Sequence, residues 1–152
     1  MTPARDRGSG MDAQARIEAE LTTAVARASD ADCPPKFAAA LHDAVFPGGA
    51  RVRPQLCLAV AKACGDPDPK LTDAAAAAIE LMHCASLVHD DLPAFDDADL
   101  RRGRPSIHAA YGEPLAVLVG DALIVMAYEV IGRAGVAAPR RLPRLLSVIS
   151  EA

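Results

Sequence analysis

One long helical pattern that ends in a cluster of acids constrains this sequence more than any other feature. The pattern is apolar and rich in alanine, and it runs from Leu71 to Asp91, about 30 Å of helix. Because the first acids lie at the end of this helix, the cluster has a defined place in the fold. Five aspartates are followed by three arginines: Asp90, Asp91, Asp96, Asp97, Asp99, Arg101, Arg102 and Arg104.

Carboxylates crowded in this way indicate a bound cation. They repel one another and resist ionising together unless a cation lies between them. Mg²⁺ takes oxygen ligands and is usually held by one or two carboxylates plus substrate phosphates, and arginine side chains match phosphate oxygens. The alternative is a solvated turn, since Asp, Gly and Pro are common in ordinary loops. The position of the acids at a helix end favours the metal site.

Pro93 follows the first acids and breaks or kinks the helix. In an unbroken helix Asp90 and Asp97 would share one face. If the chain turns at Pro93, Asp96 swings back toward Asp90 instead. The periodicity leaves both arrangements open.

The composition favours helices that pack closely against one another. Hydrophobic residues make up 51% of the 152 residues and aromatic residues only 3%, with alanine prominent, and alanine is the strongest helix former. No segment has a pattern typical of a strand. The sequence therefore predicts an all-α fold.

Charge, apolar patterns and cysteines exclude several classes of function. A net charge of −4 without a basic run argues against nucleic-acid binding. The apolar pattern from Pro114 to Ile131 predicts a buried helix, and its interruption by Gly120 and Asp121 argues against a membrane span. The cysteines lack zinc-site spacing and no secretory segment precedes them, which predicts reduced thiols and a cytoplasmic protein.

A second informative segment precedes the long helix. It reads Gly48-Gly49-Ala50-Arg51-Val52-Arg53-Pro54. Two glycines let backbone N–H groups approach an anion, and arginines alternate beyond them. The residues alone support a plain turn with two surface arginines equally well.

The aspartate cluster resembles a motif of a known family. The chain reads Asp-Asp-Leu-Pro-Ala-Phe-Asp from Asp90 to Asp96, and Asp-Leu-Arg-Arg-Gly-Arg-Pro from Asp99 to Pro105. This resembles the first aspartate-rich motif of the trans-polyprenyl diphosphate synthases, especially the short-chain bacterial and plastid geranylgeranyl and farnesyl diphosphate synthases. The family has Gly-Gly-Lys-Arg-x-Arg-Pro at the earlier segment. Ala50 therefore stands where a lysine is expected, and one cationic contact is missing.

The resemblance implies the N-terminal half of the isoprenoid-synthase helical bundle, built around a central cavity. Residues 1–10 are expected to be a disordered extension, and residues 11–152 the N-terminal part of the synthase domain. The family's second aspartate-rich motif is not found, since no Asp follows Asp121. The chain is therefore expected to be a fragment that is inactive alone, and the full-length protein a homodimer.

The resemblance also implies a reaction and its residues. An allylic diphosphate ionises, the double bond of isopentenyl diphosphate attacks the cation, and a proton leaves. Asp90 and Asp96 are the implied catalytic ligands of Mg²⁺, with Asp91 as a further ligand. Arg101 is implied to contact the allylic diphosphate. The residues implied to hold isopentenyl diphosphate are Arg51, Arg53, His83 and Arg102.

The length of the product is expected to depend on the helix below Asp90. Ser86 lies one turn and Met82 two turns below Asp90, on the same stripe. In the family, a bulky aromatic residue at the position of Ala85 stops elongation early. Because Ala85 and Ser86 are small, geranylgeranyl diphosphate is expected rather than farnesyl diphosphate.

Two other classes of protein are compatible with the sequence. One is a non-catalytic regulatory subunit that pairs with an active synthase, although such a subunit would have no need of the acids. The other is a helical interaction module whose acidic loop is solvated. Mg²⁺-dependent binding of a prenyl diphosphate separates both from the enzyme.

Overall fold

Two apolar helices, α4 and α6, pack against each other more extensively than any other pair of elements. The computed structural model describes residues 8–46 and 48–151. The prediction of an all-α fold is confirmed within those residues. In chain order the elements are α1 Gly8–Ala28, α2 Pro35–Val45, α3 Val52–Ala63, α4 Pro69–Asp90, β1 Leu100–Arg101, β2 Arg104–Pro105, α5 Ile107–Tyr111, α6 Glu113–Gly135 and α7 Leu142–Glu151.

Small side chains explain the close packing of α4 and α6. The buried face of α4 includes a run of alanines, Ala76 to Ala78, and α6 contributes Ala116 and Ala127 to the same core. Alanine leaves little bulk between two helix backbones, and each buried methylene adds about 0.8 kcal/mol of apolar stabilisation. Larger side chains from several helices fill the remaining core: Ile17, Leu21, Leu41, Leu81, Leu123 and Ile131.

Glycine and proline lie at several helix ends. Pro35 and Pro69 each lie in the first helical turn, where the missing N–H is no loss. Helix α4 thus begins at Pro69, two residues before the predicted start at Leu71. Gly65 has φ +89° after α3, and the N–H of Asp66 donates to the carbonyl of Ala61 at 2.9 Å. This is the hydrogen-bond pattern of a glycine-terminated helix.

Two sequence predictions need correction, whereas the N-terminal extension stays a prediction. Helix α1 begins at Gly8, inside the predicted extension 1–10, and residues 1–7 lie outside the described residues. A short antiparallel hairpin, β1 with β2, is present although no strand was predicted. Helix α6 also continues without interruption through Gly120 and Asp121.

Gly120 makes room for a histidine from the facing helix. A Cβ at Gly120 would overlap the imidazole of His89. The Nε2 atom of His89 lies 3.3 Å from the carbonyl oxygen of Val117 and 3.8 Å from Oδ1 of Asp121. The glycine thus permits a close crossing of α4 and α6 next to the aspartate cluster.

By length and composition, α4 and α6 are each apolar enough to cross a membrane. The core helices of water-soluble proteins meet the same criterion, and these two helices pack against each other here. The absence of a membrane span stays a prediction.

Candidate active site

A cavity of about 400 Å³ lies between the C-terminal half of α4, the end of α2, the β1–β2 hairpin and α5. Its polar lining includes His83 from α4 and Arg102 and Arg104 from the hairpin. At its rim, the hydroxyl of Tyr111 donates to Oδ2 of Asp43 at 2.6 Å and joins α5 to α2. Of the residues predicted to bind substrate, Arg51, His83, Arg101 and Arg102 line this cavity. Arg53 lines a separate cavity between α3, α4 and α7.

The chain turns back at Pro93, which decides between the two arrangements that the sequence left open. Helix α4 ends at Asp90, and the backbone N–H of Asp96 donates to the carbonyl of Asp90 at 2.9 Å. Asp97 adopts φ +48° just beyond. The backbones of Asp90 and Asp96 are therefore adjacent, and both side chains are exposed.

Asp91 differs from its two neighbours because it is only 3% exposed. The Nε atom of Arg101 donates to both of its carboxylate oxygens at 3.1 Å, and a second guanidinium nitrogen contacts the same carboxylate. This hydrogen bonding raises the pKa of Arg101 above its ordinary value. The role of Asp91 as a metal ligand stays a prediction, and its pairing with Arg101 weighs against it.

The hairpin places Arg102 at its tip. Arg102 has φ +54° and Gly103 has φ +78°, and positive φ at both central residues is typical of the type I′ turns that close two-residue hairpins. The two-residue strands are too short to show any alternation in the sequence. The Arg102-Gly103 pair was the available signal for this turn.

The Gly48-Gly49 turn lies between two guanidinium groups. A Cβ at Gly48 would overlap the guanidinium of Arg51, and a Cβ at Gly49 would lie 2.6 Å from Nη1 of Arg102. Real Cβ atoms do not approach other atoms so closely. A side chain at position 48 would have to displace the hydrogen-bonded guanidinium of Arg51, whereas one at position 49 would meet the exposed end of Arg102. The turn brings the start of α3 against the tip of the hairpin.

Positive charge converges on His83. Burial lowers the pKa of His83 below its ordinary value of 6.5, and the charges of Arg53, Arg102 and Arg101 lower it further, whereas Glu80 raises it. His83 is consequently mainly neutral at pH 7, amid cationic neighbours. Such a cluster suits a multiply charged anion such as a diphosphate.

Arg51 does not share the exposure of Arg53 and Arg102. Its side chain is 1% exposed, and all three guanidinium nitrogens donate to groups of the protein. No local sequence signal indicated this burial, because Glu18 and Glu80 lie on helices 33 and 29 residues away along the chain. Direct binding of isopentenyl diphosphate by Arg51 stays a prediction, and this geometry weighs against it.

The three residues predicted to control product length occupy different environments. Ser86 is exposed, and its hydroxyl donates to the carbonyl of His83 at 2.9 Å. Met82 is partly buried against the hydrophobic core, whereas Ala85 is 1% exposed inside it. Ser86 is thus the position on the open surface of α4 below Asp90.

Cys84 lines the cavity as a buried thiol. Burial raises the pKa of its thiol to about 11, and the thiolate is the reactive form. All four cysteines have free thiols.

The acids fit a magnesium ion that is shared with a phosphate. Within residues 8–46 and 48–151, no three His, Cys, Asp or Glu side chains form a group that could hold a metal alone. Asp90 and Asp96 provide two exposed carboxylates, and Mg²⁺ is usually held by one or two carboxylates together with substrate phosphates. These two residues would hold the ion.

The fold and the site thus define an all-α protein with a cavity lined by arginine and flanked by paired aspartates. The family model for polyprenyl synthetase matches residues 34–152. The chain belongs to the polyprenyl synthetase family, which confirms the resemblance to the trans-polyprenyl diphosphate synthases.

Relatives and solved structures agree with this assignment. The geranylgeranyl diphosphate synthase of Cereibacter sphaeroides is 58% identical over 135 residues, covering 89% of this chain and 47% of that protein. The geranylgeranyl diphosphate synthase of Rhodobacter capsulatus is 56% identical over 136 residues, covering 90% and 47%. An isoprenoid synthase family member from Thermotoga neapolitana has a TM-score of 0.78 at 35% identity, covering 91% of this chain and 52% of that chain. The chain spans about half the length of the curated relatives it matches.

Proposed function

We propose that this chain provides the diphosphate- and Mg²⁺-binding part of a prenyltransferase that condenses an allylic diphosphate with isopentenyl diphosphate. The observation that carries this proposal is the turn that sets exposed Asp90 beside exposed Asp96, next to a cavity lined by Arg102 and His83. Two relatives above 50% identity are geranylgeranyl diphosphate synthases. Their names support geranylgeranyl diphosphate as the product.

The proposed reaction needs charge stabilisation at the leaving group. The bond from the allylic carbon to the diphosphate oxygen breaks, the isopentenyl double bond forms the new carbon–carbon bond, and a proton is lost. Mg²⁺, when bound by Asp90 and Asp96, supplies Lewis-acid stabilisation of the departing pyrophosphate. Preorganised groups in such a site lower the barrier because they need not reorient as charge develops.

In this proposal, different basic residues bind the two diphosphates. Arg101 contacts the allylic diphosphate, and its contact with Asp91 fixes the direction of its guanidinium. Arg53, His83 and Arg102 hold isopentenyl diphosphate. Because the lysine of the family is replaced by Ala50, these three residues provide the positive charge on that side.

The proposal extends to a cytoplasmic homodimer of the complete protein. Apolar side chains on two helices are exposed and offer surface for association. They are Val52, Leu56 and Val60 on α3, and Leu118 and Val125 on α6.

Calorimetric titration of the chain with farnesyl diphosphate, with Mg²⁺ or with EDTA, tests the proposal. Binding should require Mg²⁺ and should be lost in the double variant Asp90→Asn/Asp96→Asn. Asp97→Asn is the matched control, because Asp97 is exposed in the same turn and asparagine tolerates its positive φ. If the affinity for farnesyl diphosphate is unchanged both by EDTA and by the double substitution, the result would instead indicate an interaction module.

A further inference from the structure

Arg51 connects four segments of the fold through its guanidinium group. Nε donates to Oε1 of Glu18 in α1 at 2.9 Å, and Nη1 donates to Oε1 of Glu80 in α4 at 2.8 Å. Nη2 donates to the carbonyl of Val45, the last residue of α2, at 3.0 Å, and to Oε2 of Glu18 at 3.3 Å. Arg51 itself precedes α3 as its N-cap residue. We call Arg51, Glu18 and Glu80 the buried arginine network.

Two members of this network lose their hydration in the fold. The side chains of Arg51 and Glu80 are 1% and 4% exposed, whereas that of Glu18 is 36% exposed. Burial lowers the pKa of Arg51, but its hydrogen bonds to Glu18 and Glu80 outweigh this effect and raise the pKa above its ordinary value. A buried ion pair often contributes little net stability compared with an apolar pair, because both charges lose their hydration. A function in placing other groups accounts better for the presence of the network.

The backbone at Arg51 is also held in an unfavourable conformation. Arg51 has φ +50° and ψ +39°, in the left-handed region. Such a conformation is unfavourable for a residue other than glycine and persists only where surrounding contacts impose it. The contacts on the guanidinium supply that constraint.

The positions fixed by the network are those of the proposed diphosphate site. Arg53 lies two residues beyond Arg51, in the first turn of α3. Gly48 packs directly on the Arg51 guanidinium, and the adjacent Gly49 lies against Arg102. Glu80 lies about one turn below His83 on α4.

We propose that Arg51 is a positioning residue that sets Arg53, the Gly48-Gly49 turn and His83 around isopentenyl diphosphate without contacting it. This inference rests on the proposed function and differs from the direct contact that the family resemblance implied for Arg51. It also assigns a role to Glu80, which the sequence did not single out.

Replacement of Glu80 separates positioning from direct binding. If Arg51 bound the diphosphate directly, Glu80→Gln would leave or increase the affinity, because it removes a negative charge that competes for the guanidinium. If Arg51 positions the site, Glu80→Gln weakens binding, because it loosens the anchor of the turn. The two roles thus predict changes of opposite sign.

The experiment is calorimetric titration of isopentenyl diphosphate into the 152-residue chain and its Glu80→Gln and Arg51→Lys variants, with helicity checked by circular dichroism. Both variants should bind about tenfold more weakly, a loss of about 1.4 kcal/mol. Glu129→Gln is the matched control: Glu129 pairs with Arg133 on the surface of α6, and its loss should leave affinity unchanged.

The other outcomes decide against the proposal in distinct ways. Weaker binding by Arg51→Lys with equal or tighter binding by Glu80→Gln would make Arg51 a direct ligand. Unchanged affinity in both folded variants would reduce the network to a structural role. If Arg51→Lys does not fold, the sign of the change in Glu80→Gln decides alone. A parent chain that binds no isopentenyl diphosphate would overturn the proposed function, and this inference with it.

Discussion

Arg51 and Arg102 both pack against the Gly48-Gly49 turn, yet one is buried and the other is exposed. Arg51 is buried and hydrogen-bonded through all three guanidinium nitrogens, whereas Arg102 is exposed at the tip of a hairpin. The family resemblance implied both as ligands of the same substrate. The difference shows that residue type and motif position do not assign a role to an arginine. Burial and the number of protein acceptors distinguish a group that holds the site together from one that is available to a ligand.

The largest expected effect is the loss of turnover when either exposed aspartate, Asp90 or Asp96, is replaced. In a fusion of this chain to the part of the Cereibacter sphaeroides relative that it does not match, Asp90→Ala or Asp96→Ala should lower turnover about a thousandfold, or about 4 kcal/mol. The melting temperature should not fall, because removing an acid from a repelling cluster relieves repulsion. Product formation from isopentenyl and farnesyl diphosphates measures this. Unchanged turnover in both variants would contradict the assignment of Asp90 and Asp96 as Mg²⁺ ligands.

The two glycines sharpen the comparison between the two arginines. In Gly48→Ala, the new methyl group overlaps the fixed guanidinium of Arg51, so the free energy of unfolding should fall by about 1–3 kcal/mol. In Gly49→Ala, the methyl group meets Arg102, which is exposed and can move. Stability should then change by less than about 0.5 kcal/mol.

Denaturant unfolding and isopentenyl diphosphate titration together test this pair. Gly49→Ala should weaken binding about threefold, or about 0.7 kcal/mol, because it displaces Arg102. Equal losses of stability in both variants would contradict the distinction between a fixed and a movable arginine.

The same contrast between buried and exposed positions applies to product length. Ser86→Phe places an aromatic ring on the open surface of α4 and should shift products toward shorter chains in the fusion. Ala85→Phe should also shorten the products if an aromatic residue at this position stops elongation as it does in the family. It also overpacks the core, at a cost of about 1–3 kcal/mol. Resolving products by chain length, alongside melting temperatures, separates the two effects. An unchanged distribution of product lengths in Ser86→Phe would show that residues elsewhere control chain length.

The smallest effect concerns the pH dependence of His83. Because burial and the nearby arginines lower its pKa below 6.5, the unfolded chain binds more protons than the folded chain at pH values between the folded pKa and 6.5. Stability from this residue is therefore present above pH 6.5 and is lost as the pH falls through that window. His83 is partly exposed, so screening keeps the effect small.

Denaturant titrations at pH 7.5 and pH 5 measure this dependence. His83→Gln should reduce the difference in unfolding free energy between the two pH values. A larger difference in the variant would show that the sign is wrong.

Local signals predicted most of the fold, and contacts across the chain account for what they missed. Pro35 at the start of α2, Gly65 after α3 and the apolar repeats of α4 and α6 indicated the helices, whereas α4 begins two residues before its predicted start at Leu71. The β1–β2 hairpin has two residues in each strand, too few to show a period. The burial of Arg51 depends on Glu18 and Glu80, which lie 33 and 29 residues away, and helical periodicity does not show which distant helices meet.

For the candidate site, the sequence indicated which residues take part but not how each is placed. The acids and arginines could be read from their order, because a specific motif fixes them. Their environments could not, since Asp90 and Asp91 are neighbours in sequence and yet one is exposed and the other is paired with Arg101 in the interior. Where a helix end meets a turn, the direction of each side chain depends on the path of the turn, which the sequence left open at Pro93.

The contact of His89 with Gly120 sets a rule for how the crossing of α4 and α6 can diverge. A side chain at position 120 requires a displaced His89 imidazole, a smaller residue at position 89, or a wider separation of the helices. A substitution of Gly120 should therefore be tolerated better together with a smaller residue at position 89 than alone.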